Sequence, residues 1–381
     1  MSNKPKILIF IDWFLPGYKA GGPVRSCANM IDALSKDYDF YVFTRNTDYT
    51  ENKPYNDIAP NTWIQQDGFK AYYVSTQKLN RQTIEKILQE NNFDVIYING
   101  IYSKWFSLEP LKSAEKYSGH SKIIVATRGM LAPTAIKVKF LKKKIFILWA
   151  NITGLYKKVV FHATNTNEPK QIENNIHLYR KIIVADNFPR ILKQTNNRIK
   201  EDGKLRLVCV ARIAPEKNQL YALSVLKNCK EIIEFNLYGP IYNEYYWNEC
   251  KKLIENMPSN ISVNYHGTIE PENIAQILTE HDFLFMPTQG ENYGHIIAES
   301  LSLGIPIIIS NKTPWKNLQE QGAGYDIDLN DRQRFIDTID KLALLKPKEY
   351  TQMSQQAKQN FNSSINNTLL IDNYKIMLDV K

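Results

Sequence analysis

Short apolar runs of strand length alternate along this chain with longer amphipathic stretches, and the alternation occurs as two separate series. Strands that are apolar throughout need cover on both faces, so the pattern predicts parallel sheets joined by helical crossovers. The first series places strands near Ile7 to Ile11, Phe40 to Thr44, Val95 to Ile98, Ile123 to Thr127 and Ile182 to Ala185. The second places them near Leu205 to Ala211, Ile233 to Tyr238, Ser262 to Tyr265, Phe283 to Met286 and Ile307 to Ile309. Between the series, Asp186 to Lys204 is polar and basic, with Pro189, Asn196, Asn197 and Gly203, and reads as a linker. The expected organisation is therefore α/β, with domains at 1–188 and 205–365 and the linker at 189–204. A chain of 381 residues, 43% hydrophobic, has enough apolar material for two cores.

Ligands of open α/β sheets collect at loops that follow the carboxyl ends of strands. One such loop stands in Gly290-Glu291-Asn292-Tyr293-Gly294-His295-Ile296-Ile297-Ala298-Glu299, where a strand is expected before it and a helix running to Gly304 after it. Glu291 falls beside the helix N-terminus, whose free amides and dipole can hold a phosphate. Glu299 falls inside the helix. Two carboxylates beside an anion site suit a sugar nucleotide, since they accept hydrogen bonds from sugar and ribose hydroxyls. The plain alternative is one surface glutamate and one that stabilises a helix. After the strand Leu205 to Ala211 come Arg212 and Lys217. A planar guanidinium fork and a compact ammonium are complementary ways to neutralise a diphosphate, although two solvated charges in a loop would look the same. After the first strand, Gly21 and Gly22 open a helix that continues toward Leu34, where backbone amides can approach an anion closely.

The stretch Met286 to Ser310 resembles the signature of the retaining glycosyltransferases of family 4. It carries Glu291-Asn292-Tyr293-Gly294 and Glu299-Ser300, flanked by Met286-Pro287-Thr288, Gly304-Ile305-Pro306 and Thr313-Pro314-Trp315. That resemblance implies the GT-B fold, two Rossmann-like domains whose parallel sheets face a central cleft, with the C-terminal helix 366–381 packing back on the first, acceptor-side domain. It implies catalytic roles for Glu291, Arg212 and Lys217, and donor contacts from Gly21, Gly22, Asn292, Tyr293, Gly294, His295 and Glu299. It also implies retention at the anomeric carbon. No Asp-x-Asp element stands in a plausible cleft loop, and positive side chains with helix ends can do the work of a divalent ion, so no metal or other cofactor beyond the nucleoside diphosphate sugar is expected. Asp94-Val95-Ile96-Tyr97-Ile98-Asn99-Gly100 resembles an element in which the family usually has histidine at the position of Asn99. Asn99 is counted with the catalytic residues at that position, since an amide can hydrogen-bond a sugar hydroxyl, although it cannot titrate near neutrality. Thr127-Arg128-Gly129-Met130-Leu131, with Phe161-His162-Ala163-Thr164 and Glu168, resembles a subset that builds bacterial surface polysaccharides. Arg128 is there a candidate for acceptor or phosphate, with a structural ion pair as the alternative, and His162 reads as structural.

From Lys116 to Asn167 there are ten Lys or Arg and no Asp or Glu. Within this span, helical periodicity predicts that Val138, Leu141, Ile145, Leu148, Trp149 and Ile152 pack inward. Ile136, Phe140 and Ile147 form a second, narrower stripe beside Lys143 and Lys144. Apolar groups among lysines suit a helix on an anionic bilayer, so the Lys-rich segment 137–158 is the expected contact with the cytoplasmic face of the inner membrane; a solvated basic face is the alternative. No nucleic-acid module accompanies the charge, and nucleic acid is not an expected partner. No GxGxxG fingerprint or P-loop follows an expected strand, which argues against a nicotinamide-dependent dehydrogenase or a kinase. Cys27, Cys209, Cys229 and Cys250 are too scattered for a zinc site or disulfide framework. With no apolar run of signal-peptide or membrane-spanning length, the expectation is a cytoplasmic, peripherally membrane-associated enzyme. It would transfer a sugar to a glycan acceptor, lipid-linked, for lipopolysaccharide, capsule or exopolysaccharide. A non-catalytic sugar-nucleotide binder and a sugar-nucleotide epimerase of the same fold stay open.

Overall fold

The computed structural model describes residues 4–193 and 199–379. Asn196 and Asn197 of the expected linker, and positions 380–381 of the expected terminal helix, lie outside them. The chain forms two compact units, Met1–Phe188 with Asn367–Lys381, and Pro189–Asn366.

The first unit is built on eight strands: β1 (Lys6–Phe10), β2 (Asp39–Arg45), β3 (Trp63–Gln65), β4 (Phe69–Val74), β5 (Val95–Asn99), β6 (Lys122–Ala126), β7 (Val160–Ala163) and β8 (Lys181–Val184). Their order is β3-β4-β2-β1-β5-β6-β7-β8, and every pair but β3 with β4 is parallel. The two-residue period of a strand splits its apolar side chains between two layers. Leu8, Phe10, Ile96 and Ile98 enter one buried cluster. Ile7, Ile9, Val95 and Tyr97 enter the other, where Tyr374, Met377 and Leu378 of the helix Asn367–Leu378 join them.

The second unit has six parallel strands: β9 (Lys204–Val210), β10 (Ile232–Tyr238), β11 (Ile261–Tyr265), β12 (Phe283–Met286), β13 (Ile307–Ser310) and β14 (Gly324–Ile327). Their order is β11-β10-β9-β12-β13-β14. The chain moves outward from β9 to β10 and β11, then returns to lay β12 on the other side of β9, with Leu284 opposite Val208. The reversal makes the carboxyl ends of β9 and β12 the sheet's topological switch point, the place where ligands of such sheets bind.

All ten expected strands are present within a residue or so, while β3, β4, β7 and β14 were not expected. β3 is only three residues long and antiparallel at an edge. β7 hides a histidine in an otherwise apolar run, and β14 begins with a glycine that a strand pattern normally excludes. Gly324 is needed there: at φ +144°, an added Cβ would lie 2.0 Å from the Ile307 carbonyl oxygen.

The helix Phe140–Thr153 corrects one expectation. Leu141, Ile145, Leu148 and Ile152, expected inside, are exposed, Leu141 by 73% and Ile152 by 76%; Val138 and Trp149 are exposed with them. Ile147 and Ala150 of this helix are buried, as is Ile136 before it. Periodicity finds the wider apolar stripe but not which stripe meets the sheet's cover. Here Phe146 packs edge-on against Tyr102, at 5.2 Å between ring centres, and Lys143 donates to the Ala135 carbonyl at 2.6 Å while lying over the same ring. These contacts turn Ile136 and Ile147, which the sequence places toward a bilayer, inward instead, and leave Phe140 half exposed.

Candidate active site

In the second unit the loop after β9 enters a short 3-10 turn, Pro215–Lys217, and then the helix Gln219–Leu226. Asn218 joins the two in the left-handed region at φ 64°, a conformation asparagine tolerates better than most residues. Its Nδ2 donates to the Pro287 carbonyl at 2.9 Å, and Gln289 N donates to the Glu216 carbonyl at 2.9 Å, so the loops after β9 and β12 are tied by one side-chain and one backbone hydrogen bond. The tie brings Lys217 and Glu291 together. The ammonium donates to Glu291 Oε1, which also accepts the Thr288 hydroxyl at 3.1 Å. Both side chains are mostly buried, 17% and 12% exposed. Glu291 Oε2 has no hydrogen-bond partner among the described residues. An ammonium has three N–H donors, and only one is used here. The pair thus holds its own geometry while leaving an acceptor and two donors for a ligand.

Arg212 stands at the start of the same β9 loop. Its Nε lies 3.1 Å from Glu216 Oε1, its guanidinium stacks over Tyr242 at 5.2 Å, and its carbonyl accepts from Gln219 Nε2 at 2.9 Å. Gly239, after β10, has φ +141°, and a Cβ there would come within 2.1 Å of the Ala211 carbonyl oxygen, so only glycine lets this strand end pass so close behind Arg212. Sequence reasoning missed Gly239, Thr288, Asn218 and Tyr242. The dipeptide Gly239-Pro240 directly after a strand was the available signal for the first.

The helix His295–Ser302 starts at Gly294, in the left-handed region at φ 81° and with no side-chain cap, so its first amides are presented to the loop. Trp315 Nε1 donates to the Tyr293 carbonyl at 2.7 Å, and the Tyr293 ring lies 4.8 Å from that of His295. This gives Trp315 of Thr313-Pro314-Trp315 a task, bracing Tyr293 from behind. Glu299 is only 1% exposed, so a ribose hydroxyl reaches its carboxylate only if the covering residues yield.

The remaining expected positions sit in the first unit. Gly21 caps the helix Gly22–Leu34 at φ 74°, with no side-chain cap and with open space where its Cβ would be. Asn99 ends β5 and Arg128 follows β6, and they bind each other: Arg128 Nε donates to Asn99 Oδ1 at 2.7 Å. Its other nitrogens donate to Asn187 Oδ1 at 2.6 Å and to the Tyr97 hydroxyl at 2.9 Å. Arg128 is therefore largely spent within its own unit. Its backbone, at φ 50°, and that of Gly129 form a tight turn held by the Glu168 carboxylate, which accepts from Gly129 N and from the hydroxyls of Thr127 and Thr164, each hydroxyl at 2.8 Å.

His162 is fully buried, with Nδ1 2.6 Å from the Tyr97 hydroxyl and Nε2 2.7 Å from the Ala185 carbonyl. Burial, aided by the Arg128 charge, pushes its pKa down to about 3. The unfolded imidazole takes up its proton near pH 6.5 and the folded one does not. The stabilisation is therefore complete above pH 6.5 and is lost as pH falls toward 3. Urea unfolding should lose about 2 kcal/mol between pH 8 and pH 5 from this residue, a difference that His162→Gln should remove. Equal pH dependence in both proteins would mean that His162 titrates normally in the fold.

Residues 191–360 match the family described as glycosyl transferases group 1. A Klebsiella pneumoniae protein described as an uncharacterized 41.2 kDa protein in the cps region is 23% identical over 269 residues, covering 68% of this chain and 71% of that protein. Among solved structures, HepE of Anabaena in complex with UDP and glucose matches at a TM-score of 0.68 and 14% identity over 98% of both chains. Sucrose-phosphate synthase of Thermosynechococcus elongatus matches at a TM-score of 0.67 and 14% identity, again over 98% of both. At such identities the likeness is one of fold, and that fold is GT-B.

Proposed function

We propose that this chain, whose second unit is a glycosyl transferases group 1 domain within a GT-B fold, is a retaining glycosyltransferase of family 4 type. It moves a sugar from a nucleoside diphosphate donor to a lipid-linked glycan in the assembly of a surface polysaccharide such as lipopolysaccharide or capsule. The observation that carries the reading is the Lys217–Glu291 pair at the switch point of the second sheet, with one carboxylate oxygen and two ammonium donors left for a ligand. The structural neighbour bound to UDP and glucose and the relative from a cps region support the donor class and the pathway class.

In this reading Glu291 Oε2 accepts a hydroxyl of the donor sugar, and Lys217 and Arg212 face the diphosphate. The bond from the anomeric carbon to the β-phosphate oxygen breaks, its electron pair goes to the diphosphate, and the two fixed cations and the amides after Gly294 stabilise the growing charge. With that charge met by protein groups, the reaction calls for no divalent ion. The acceptor oxygen attacks the same face that the phosphate leaves and hands its proton to the departing phosphate oxygen, so configuration is kept. Asn292, Tyr293, His295 and Glu299 complete the donor site once the covering residues yield. The first unit takes the acceptor side, with the Gly22 amide at the helix start as its anion donor, since the Gly21 amide is taken by the Tyr18 carbonyl at 3.0 Å. A lipid-linked acceptor keeps the enzyme at the cytoplasmic face of the membrane.

Thermal unfolding against a panel of nucleoside diphosphate sugars tests the donor assignment. A ligand at a hundred times its dissociation constant adds about 2.7 kcal/mol. One base and sugar should stabilise the protein, and Arg212→Ala should weaken the effect. Absence of stabilisation by every nucleotide sugar would refute the reading. Interconversion of the donor sugar without any acceptor would instead make the protein an epimerase, and binding without turnover in the presence of acceptors would make it a binder.

A further inference from the structure

The helix Phe140–Thr153 presents a continuous apolar face that nothing in its own unit covers. At 100° per residue, Leu141, Ile145, Leu148 and Ile152 fall within about 60° of arc, and all four are exposed. On the same wheel Lys144 lies on one flank of this face and Lys142 on the other, both exposed. The opposite side is anchored. Ile147 and Ala150 are buried, and Asn151 donates to the Asn175 carbonyl at 2.8 Å while accepting from His177 N at 3.0 Å. The helix is thus held firmly by one side and bare on the other, which is not how a soluble surface is normally finished.

We propose that this face docks on an anionic lipid bilayer, the four aliphatic side chains entering the acyl boundary and Lys142 and Lys144 reaching up to lipid phosphates. Charge complementarity selects this occupant. The span 116–167 holds ten Lys or Arg and no Asp or Glu, so a second copy of the chain would bring lysines against lysines. A nucleic acid would satisfy the lysines but leave four aliphatic groups on a polar strand. A bilayer interface satisfies both, since long cationic side chains cover apolar surface while their heads stay in the headgroup layer. Lys143 takes no part, because it is committed to Ala135 and Tyr102. The proposal rests on the lipid-linked acceptor for the reason a membrane is met at all, and names the surface that meets it.

Cosedimentation of the full chain with phosphatidylcholine vesicles, with and without half phosphatidylglycerol, at low and high salt tests it. The wild type should bind the anionic vesicles at low salt. Leu141→Ser with Ile145→Ser should lower that binding at least about tenfold. Lys142→Ser with Lys144→Ser should lower it about fivefold per lysine, an effect that 0.5 M salt should reproduce. Stabilisation by the nucleotide sugar should be the same in all three proteins, which separates failure here from failure of the transferase reading. Failure of the wild type to bind, or unchanged binding by the serine pair at Leu141 and Ile145, would overturn the proposal. So would a wild-type dimer that the same pair dissociates without any loss of vesicle binding, since a second copy would then own the face.

Discussion

Lys217→Met should lower turnover about a hundredfold or more while leaving the protein folded. The methionine keeps most of the aliphatic stem and removes the one charge that the loop after β9 places against Glu291. In the reading above that charge works hardest when the diphosphate leaves, so its loss falls on kcat more than on KM, and the loss of one preorganised donor typically costs about 3 kcal/mol of barrier. Steady-state kinetics with the identified donor checks this. A variant with a raised KM and an unchanged kcat would make Lys217 a ground-state contact only.

Glu291→Gln should be comparably damaging for a different reason. The amide fills the same space and can still accept from Thr288, but it no longer offers a charged oxygen to a sugar hydroxyl, and it releases Lys217 from its internal partner. Turnover should drop by about two orders of magnitude. The affinity for the free nucleoside diphosphate, which carries no sugar, should hold or rise, because the ammonium is no longer neutralised from within. Calorimetric titration separates the two ligands, and a parallel loss of both affinities would point to collapse of the loop. Because the two residues touch, the variant carrying both changes should lose less than the product of the single losses.

The alternation of apolar strands and amphipathic helices made the two sheets legible in the sequence, because burial on both faces leaves a continuous apolar run. It hid β14, where close approach to β13 demands a glycine. Residue type and loop position marked Arg212, Lys217 and Glu291, and the spacing from Glu291 marked Glu299 in the helix that follows. Their mutual arrangement was not legible, since the tie between the two loops runs through backbone carbonyls of Glu216 and Pro287, which carry no side-chain signature. Arg128 and Asn99 were each read as ligand contacts. Twenty-nine positions apart in sequence, they meet because β5 and β6 are neighbours, and that adjacency is a fact of topology. The helix Phe140–Thr153 reversed its expected face for a related reason: a hydrophobic stripe declares itself in sequence, but its partner does not.

In the proposed reaction a sugar leaves a nucleoside diphosphate donor for the acceptor with its configuration at the anomeric carbon retained. Proton NMR of the product linkage, formed by the purified chain from the stabilising nucleotide sugar and an acceptor, tests it most directly. The new linkage should carry the donor's own anomeric configuration, with one nucleoside diphosphate released per linkage, and Lys217→Met should lose both. An inverted linkage, or nucleotide-sugar conversion that proceeds without acceptor, would contradict it.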